Sequence, residues 1–415
     1  MRSARILALG LSLIAPAVYS QPITQVTFVR GNTLSQLINN LYGGNGIDLA
    51  HTGHEAHFGE TRDFQNFSDT LRAALQSRSF IPVPSSVGLV AYRFNEATGT
   101  YERVEGALGP ILSERGSTSG KGTLNFSTTY TFASYDTVNG SDVTQLVLHH
   151  CLTPDCVGNS PLTAPYLHDT VDINVHFRLK SQAIALAAVY GLTNRLDVGV
   201  VLPYVRNDFQ VFTHAFIVLA PGSVPTTHYF DPNVETPDQY GTGNAVGIGD
   251  VVARAKYRLM PKASFESAVL ADLTLPTGDK NNFLGTGATK LKATYIISKT
   301  VHRFTPHLNA GYEVRFGETK LDIFDYRFGT EIAATPRVTI TGDVIGAIRP
   351  HASTLFRSVA LGDQQLIGHS EIDGAIGAKW KMTGDRALLF NVLVPLNKSG
   401  IRPTTVLTAG LQLPL

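Results

Sequence analysis

The chain has little cysteine and little charge, and past its first residues it has no long apolar run. Its only two cysteines, Cys151 and Cys156, stand close together in CLTPDC. A cysteine-dense scaffold is thereby excluded, and in an oxidising compartment the pair reads as one loop-closing disulfide. A thiolate metal site is disfavoured, because the spacing is wider than the usual pair and no matching second half exists. Charged residues make up 16% of the chain, against roughly 25% in soluble globular proteins. A net charge of +1 gives no reason to expect nucleic acid as a partner. Beyond the N-terminal leader, no segment reaches the ~18 consecutive apolar residues of a transmembrane helix.

That leader is what stands first. Arg2 and Arg5 precede an apolar stretch from Ile6 to Val18, and Val18 and Ser20 supply small residues before Gln21. Residues 1–20 therefore read as a secretory signal peptide, and the mature chain is expected outside the cytoplasm. Its 38 Gly, 15 Tyr and 21 Phe, with low charge, suit a chain with one lipid-facing and one wet face.

Period-two alternation, which sends successive side chains to opposite faces, dominates the rest. Phe304, Pro306, Leu308, Ala310, Tyr312, Val314 and Phe316 form one face, against Thr305, His307, Asn309, Gly311, Glu313 and Arg315. The same split recurs at Phe265–Thr274, Lys290–Ser298, Phe324–Ile332, Val338–Val344 and Leu407–Leu415. A soluble sandwich also alternates. Three features favour a membrane barrel instead. The segments suit the ~9–11 residues of a tilted membrane strand, and Tyr257, Tyr295, Tyr312, Phe316, Tyr326 and Trp380 recur on the apolar face. Connections also alternate between short and long. Short turns fall at Asn194–Arg195, Pro261–Lys262, His302–Arg303, Thr335–Pro336 and Gly384–Asp385. Long ones cover residues 136–169, 208–247, 277–287, 317–320, 350–365 and 397–403.

The expected fold is thus all-β: a transmembrane antiparallel β-barrel of about twelve strands, up to fourteen if Phe209–Leu219 adds a pair. Residues 121–415 form the barrel, and residues 21–120 form a plug or periplasmic segment of mixed structure. On the barrel, Arg254, Lys256, Arg258, Glu266, Asp272, Lys290, Lys292, Glu313, Arg315, Asp325, Arg327, Glu331 and Asp343 are expected to face the lumen. They either pair across strands or line a pore, and both signs occur. One irregularity is expected. Apolar positions are odd from Val171 to Leu179 and even from Ile184 to Leu192, which reads as a β-bulge at Ser181–Gln182. The C-terminal strand alternates like an assembly-machinery recognition strand, but ends in Leu415 rather than an aromatic residue.

In residues 21–120, Thr33 is placed to cap a helix with Leu34, Leu37, Ile38 and Leu41 on one face, ended by Gly43–Gly44. Ser68 is placed to cap another, and a hairpin is expected around Asn95–Gly99. His51, His54 and His57 in HTGHEAH are weak metal candidates: the spacing is not HExxH, and Gly53 favours a loop. GTGNAVGIGD and LGTGAT lie between strands rather than before helices, so phosphate cradling is unsupported. No GxSxG is present, no catalytic set assembles from sequence order, and neither an enzyme nor a cofactor is expected.

The strings LGPILSERGSTSGKGTLNFSTTYTFASYD, VYGLTNRLDVGVVLPYV, GIGDVVARAKYRL, ADLTLPTGDKNNFLGTGATKLK, HLNAGYE and ATPRVTITGDVIG carry a resemblance. In order and spacing they resemble a family of bacterial outer-membrane proteins associated with the phenol meta-degradation pathway. The resemblance covers most of residues 105–350, and the cysteine insertion departs from it. It implies a barrel in the Gram-negative outer membrane that carries small hydrophobic or aromatic solutes. The implied partners are outer-membrane lipids, the barrel-assembly machinery and such solutes. The alternative is a non-transporting structural or adhesive barrel.

Overall fold

Alternating side chains let one strand present lipid on one face and an interior on the other, and the chain uses this repeatedly. A computed structural model describes residues 27–42, 47–51, 54–58, 69, 91–95, 100–104, 107–149, 169–225, 228–231, 236–260, 265–317, 321–351, 367–384 and 386–414. The leader, the second helix expected at Ser68, and Cys151 and Cys156 lie outside or almost wholly outside these residues.

The N-terminal part holds β1 (Thr27–Val29), helix α1 (Leu34–Asn39), β2 (Ile47–His51), β3 (His54–Phe58), β4 (Ala91–Asn95) and β5 (Thr100–Val104). The strands that follow are β6 (Leu124–Val138), β7 (Thr144–His149), β8 (Thr170–Gly191), β9 (Leu196–Val218), β10 (His228–Tyr229) and β11 (Asp238–Ile248). Then come β12 (Val251–Arg258), β13 (Glu266–Leu275), β14 (Lys290–Ser298), β15 (Phe304–Arg315) and β16 (Ile323–Thr335). The last are β17 (Val338–Ile348), β18 (Ser370–Lys381), β19 (Ala387–Pro395) and β20 (Ile401–Pro414).

Among the described residues β6, β8, β9 and β12 to β20 close a 12-strand antiparallel ring, sealed where β20 pairs with β6. All five expected short turns fall between ring strands, at the end where the ring also begins and finishes. This is the periplasmic end by the rule that periplasmic turns are short. Val198, Val200, Leu202 and Tyr204 on β9 point outward and are exposed, as do Ile184, Leu186 and Tyr190 on β8. Charged Arg254, Lys256 and Arg258 face inward and are buried. A closed barrel with an apolar outer belt and a charged interior is an outer-membrane barrel. No described helix is long and apolar enough to cross a membrane; strands do the crossing. Leu202→Arg should therefore lower the unfolding free energy by about 2–4 kcal/mol in lipid vesicles. Gln210→Arg, outward on the same strand above the apolar belt, should change it little; equal effects would refute the placement.

Two expectations are corrected. There is no bulge at Ser181–Gln182: β8 pairs in unbroken register with both β6 and β9. Odd positions face inward along its whole length. What changes is the environment, because Val171 to Leu179 are inward and buried while the outward Arg178 and Lys180 are exposed. β8 has 22 residues, roughly 70 Å at ~3.3 Å per residue, so it rises well beyond the lipid. Register shifts lie elsewhere, at Arg402–Val406 of β20 and Ala333–Thr335 of β16. Nor is 208–247 one long loop. Phe209 to Val218 continue β9, and β11 returns along them from His214 to Tyr204. Phe209–Leu219 therefore adds no pair to the ring.

The raised wall has an apolar inner face, and the N-terminal residues cover it. Leu34, Leu37, Ile38, Leu41 and Tyr42 share one buried cluster with Val171, Ile173, Val175, Phe209 and Val211. Thr33 is the N-cap as expected, and its backbone N–H donates to Gln36 Oε1 at 3.2 Å. Tyr42, in left-handed backbone, donates its hydroxyl to the Pro237 carbonyl at 2.5 Å. The expected hairpin near Asn95 is formed by β4 and β5. His51 and His54 end one strand and begin the next rather than lying in a loop, opposite each other in register.

Candidate functional site

A polar, glycine-rich segment with no period of its own runs through the interior just before β6. Residues 107–121 take no regular structure, so their backbone groups must find partners on the wall. Leu108 N–H donates to Thr339 Oγ1 at 2.8 Å, and Glu114 N–H to Asn309 Oδ1 at 2.7 Å. Asn309 Nδ2 returns a bond to the Glu114 carbonyl at 2.9 Å. Gly116 N–H donates to Ser298 Oγ, and Ser119 N–H to Asp197 Oδ2. Gly116 passes so close to β13 that an added Cβ would stand 2.4 Å from the Glu266 carbonyl carbon.

Ion pairs fix the same segment. Glu114 accepts from Arg254 Nη1 at 3.3 Å and Lys256 Nζ at 3.1 Å, and Arg254 also pairs with Asp272 at 3.0 Å. Arg115 meets Glu331 through both Nε and Nη2, with Nε at 2.7 Å. Desolvation of Arg115 works against its charge, but the attraction and hydrogen bond of Glu331, together with Glu266, outweigh it and hold the guanidinium above its ordinary range. Arg327 donates to the Leu112 carbonyl, and Lys379 to the Leu108 carbonyl at 3.3 Å.

The other sequence-predicted charges are placed as follows. Arg258 meets Glu266 at 3.4 Å, Lys290 meets Glu313 at 3.9 Å, and Lys292 meets Asp325 at 2.7 Å, with Arg327 on its far side at 3.6 Å. Arg315 is buried, its backbone N–H on Asp322. Asp343 joins His307 Nε2 at 2.8 Å and the Ser113 hydroxyl at 2.5 Å. This serine, acid and histidine do not form a nucleophile–base pair, because hydroxyl and imidazole both meet the carboxylate instead of each other. Sequence reasoning missed Glu114, Arg115 and Lys379, and the buried pair of Arg402 on β20 with Asp373 on β18; His307 was read on the polar face but not among the lumen charges. For the first two the only signal was charge inside a small-residue run, SERGSTSG. The metal candidates His51, His54 and His57 join no ligand cluster among the described residues.

Above this floor lies a cavity of about 320 Å³. Leu112 and Glu114 form part of its base, and Phe283 and Leu284 reach it from the 276–289 connection. One wall is charged, built by Arg254, Asp272, Lys290, Lys292, Glu313 and Asp325 on β12 to β16. The opposite wall is mainly apolar, with Ala133, Tyr135, Ala183, Val205, Leu393 and Val406 from β6, β8, β9, β19 and β20. Above the β9–β12 ladder that closes the ring, one stretch of the wall has no ladder. β11 and β12 together run back along β9, broken at Gly249–Asp250. Beyond the break, among the described residues, the free edge of β11 pairs only with β1, at Gln239–Gly241. The 276–289 connection lies there instead. Asp250 accepts from Gly278 N–H at 3.0 Å, Thr286 N–H at 2.7 Å and Thr286 Oγ1 at 2.6 Å. A Cβ on Gly285 would stand 2.2 Å from Asp250 Oδ1, so this contact requires glycine.

Residues 168–347 match the family model described as "Putative MetA-pathway of phenol degradation", in line with the resemblance read from the sequence. Among solved structures, an outer membrane channel from Pseudomonas putida F1 is 14% identical, with a TM-score of 0.41 over 71% of this chain and 96% of that one. The Ralstonia pickettii toluene transporter TbuX is 11% identical, with a TM-score of 0.34 over 71% of this chain and 89% of that one. A Pseudomonas aeruginosa FadL homologue is 8% identical, with a TM-score of 0.32 over the same two shares. No curated protein matches the chain.

Proposed function

With the family match as premise, we propose that this barrel passes small hydrophobic or aromatic solutes across the outer membrane, holding them in the lumen cavity. The cavity carries the reading: an apolar wall enclosed within a ring that the 107–121 segment crosses below it. In this reading residues 21–120 act as the plug. The lumen charges, Arg254, Lys256, Glu331 and Asp343 among them, hold wall and plug together instead of attracting ions, since they are engaged with one another. Passage of a neutral solute needs no chemistry from the protein, and the channel reading is preferred to a catalytic one. Outer membranes with and without the protein, given labelled toluene, test it. Uptake should rise several-fold while ion conductance in planar bilayers stays low. Unchanged uptake with a sealed barrel would overturn the proposal.

A further inference from the structure

The carboxamide oxygen of Asn391 has no partner among the described residues. It lies on the inward face of β19 between Leu389 and Leu393, both buried. Asn391 is itself 5% exposed, and its Oδ1 has no hydrogen-bond partner among the described residues. A buried amide acceptor left unpaired weakens a fold, so a wall serving only as a wall would do better with a third leucine here.

Its neighbours extend the polar row. Thr408 on β20 is its register partner, and Thr131 on β6 is the partner of Thr408. The two threonine hydroxyls are 3.4 Å apart. One step toward the extracellular end, the same three strands present Leu393, Val406 and Ala133, all buried. All six residues line the cavity. A polar row thus sits directly under an apolar shelf, on the wall opposite the charged strands. The cations that line the cavity stand on β12, β14 and β16, so an anion held at Asn391 would lack a counter-charge there.

We propose that Asn391, with Thr408 and Thr131, receives the polar end of the solute. The preferred cargo is then a small uncharged molecule carrying one hydroxyl on an apolar body. A hydroxyl both donates and accepts; Oδ1 takes its proton, and the amide N–H or a threonine hydroxyl fills its lone pair. The apolar body lies along Leu393, Val406 and Ala133. This rests on reading the cavity as a solute site, and the experiment separates the two.

Benzyl alcohol and ethylbenzene differ by hydroxyl against methyl at nearly equal size. Their binding to the full barrel in detergent micelles is measured by equilibrium dialysis against empty micelles. Asn391→Leu should weaken benzyl alcohol roughly tenfold. It should leave ethylbenzene unchanged or tighter, and should raise thermal stability. Asn391→Ser, which puts a donor and acceptor hydroxyl in place of the amide, should retain most of the preference for the alcohol. Equal losses for both probes, or no change for either, overturns the polar-end assignment while leaving the solute site standing. If neither probe binds the unmodified barrel, the solute site fails and this assignment fails with it.

Discussion

Replacing Glu331 by alanine is expected to unlatch the floor of the lumen. Glu331 is fully buried and takes two bonds from Arg115, with His307 Nδ1 3.9 Å away. Its removal leaves the Arg115 guanidinium in a dry interior without the carboxylate that bonds it, and only Glu266 acts on it from further off. Breaking a buried pair from one side costs about 3–5 kcal/mol. Segment 107–121 can avoid much of that cost by lifting away from β16, so its undocked population should rise roughly 10²–10³-fold. In planar bilayers this reads as frequent open events where the unmodified barrel shows few. The pair Arg115→Met with Glu331→Leu removes both charges and should return gating close to the starting level. Gating unchanged in the single variant would mean that Glu114, with Arg254 and Lys256, holds the segment alone.

The second large effect is expected at Asp250. This one carboxylate fixes Gly278 and Thr286 against the break between β11 and β12. Asp250→Ala strips two backbone N–H groups of their acceptor, at about 1–3 kcal/mol for each buried group, and leaves the Thr286 hydroxyl only the Ala288 carbonyl. The 276–289 connection, held by no barrel ladder there, should then open locally. Hydrogen exchange at Gly278 and Thr286 should accelerate by roughly 10- to 100-fold while the strands of the far wall stay protected. Equal protection in the variant would show that Leu284, packed near Gly247 and Gly249, suffices to close the wall.

Much of this architecture was legible in the chain. Lipid on one face and water or charge on the other enforce a period of two, and tight turns need only local chemistry. Phe304–Phe316 and the five short turns could therefore be read directly. What escaped depended on distant partners. On β8 apolarity passes from the outward face at Ile184 to the inward face at Leu179, because the strand leaves the lipid and meets α1 instead. Viewed along the chain alone, that exchange looks like a slip of register. Phe209–Val218 and Asp238–Ile248 resembled loop because their outward faces mix Gln210, His214, Thr242 and Asn244 with Phe212, Phe216 and Val246 and so carry no clean alternation. Residues 107–121 have no period at all, and their order comes from Asn309, Glu331 and Asp197, far off in sequence. Asn391 did leave a trace, a lone carboxamide in LLFNVLVP, but only the strand's facing shows that it points inward.

The seam between the first and last ring strands sets an order of assembly. Ile401 meets Val138 and Pro414 meets Asn125, so the ring closes only when nearly the whole chain is present. Such a contact of long sequence separation forms slowly and late. In the finished barrel the segment before β6 is bonded to β9, β12 and β14 to β17, the strands that the seam must enclose. An empty ring would have to be re-entered from an end to reach the same state. Lining first and seam last is the direct route, with the early part of the chain serving as the form around which the wall is wound.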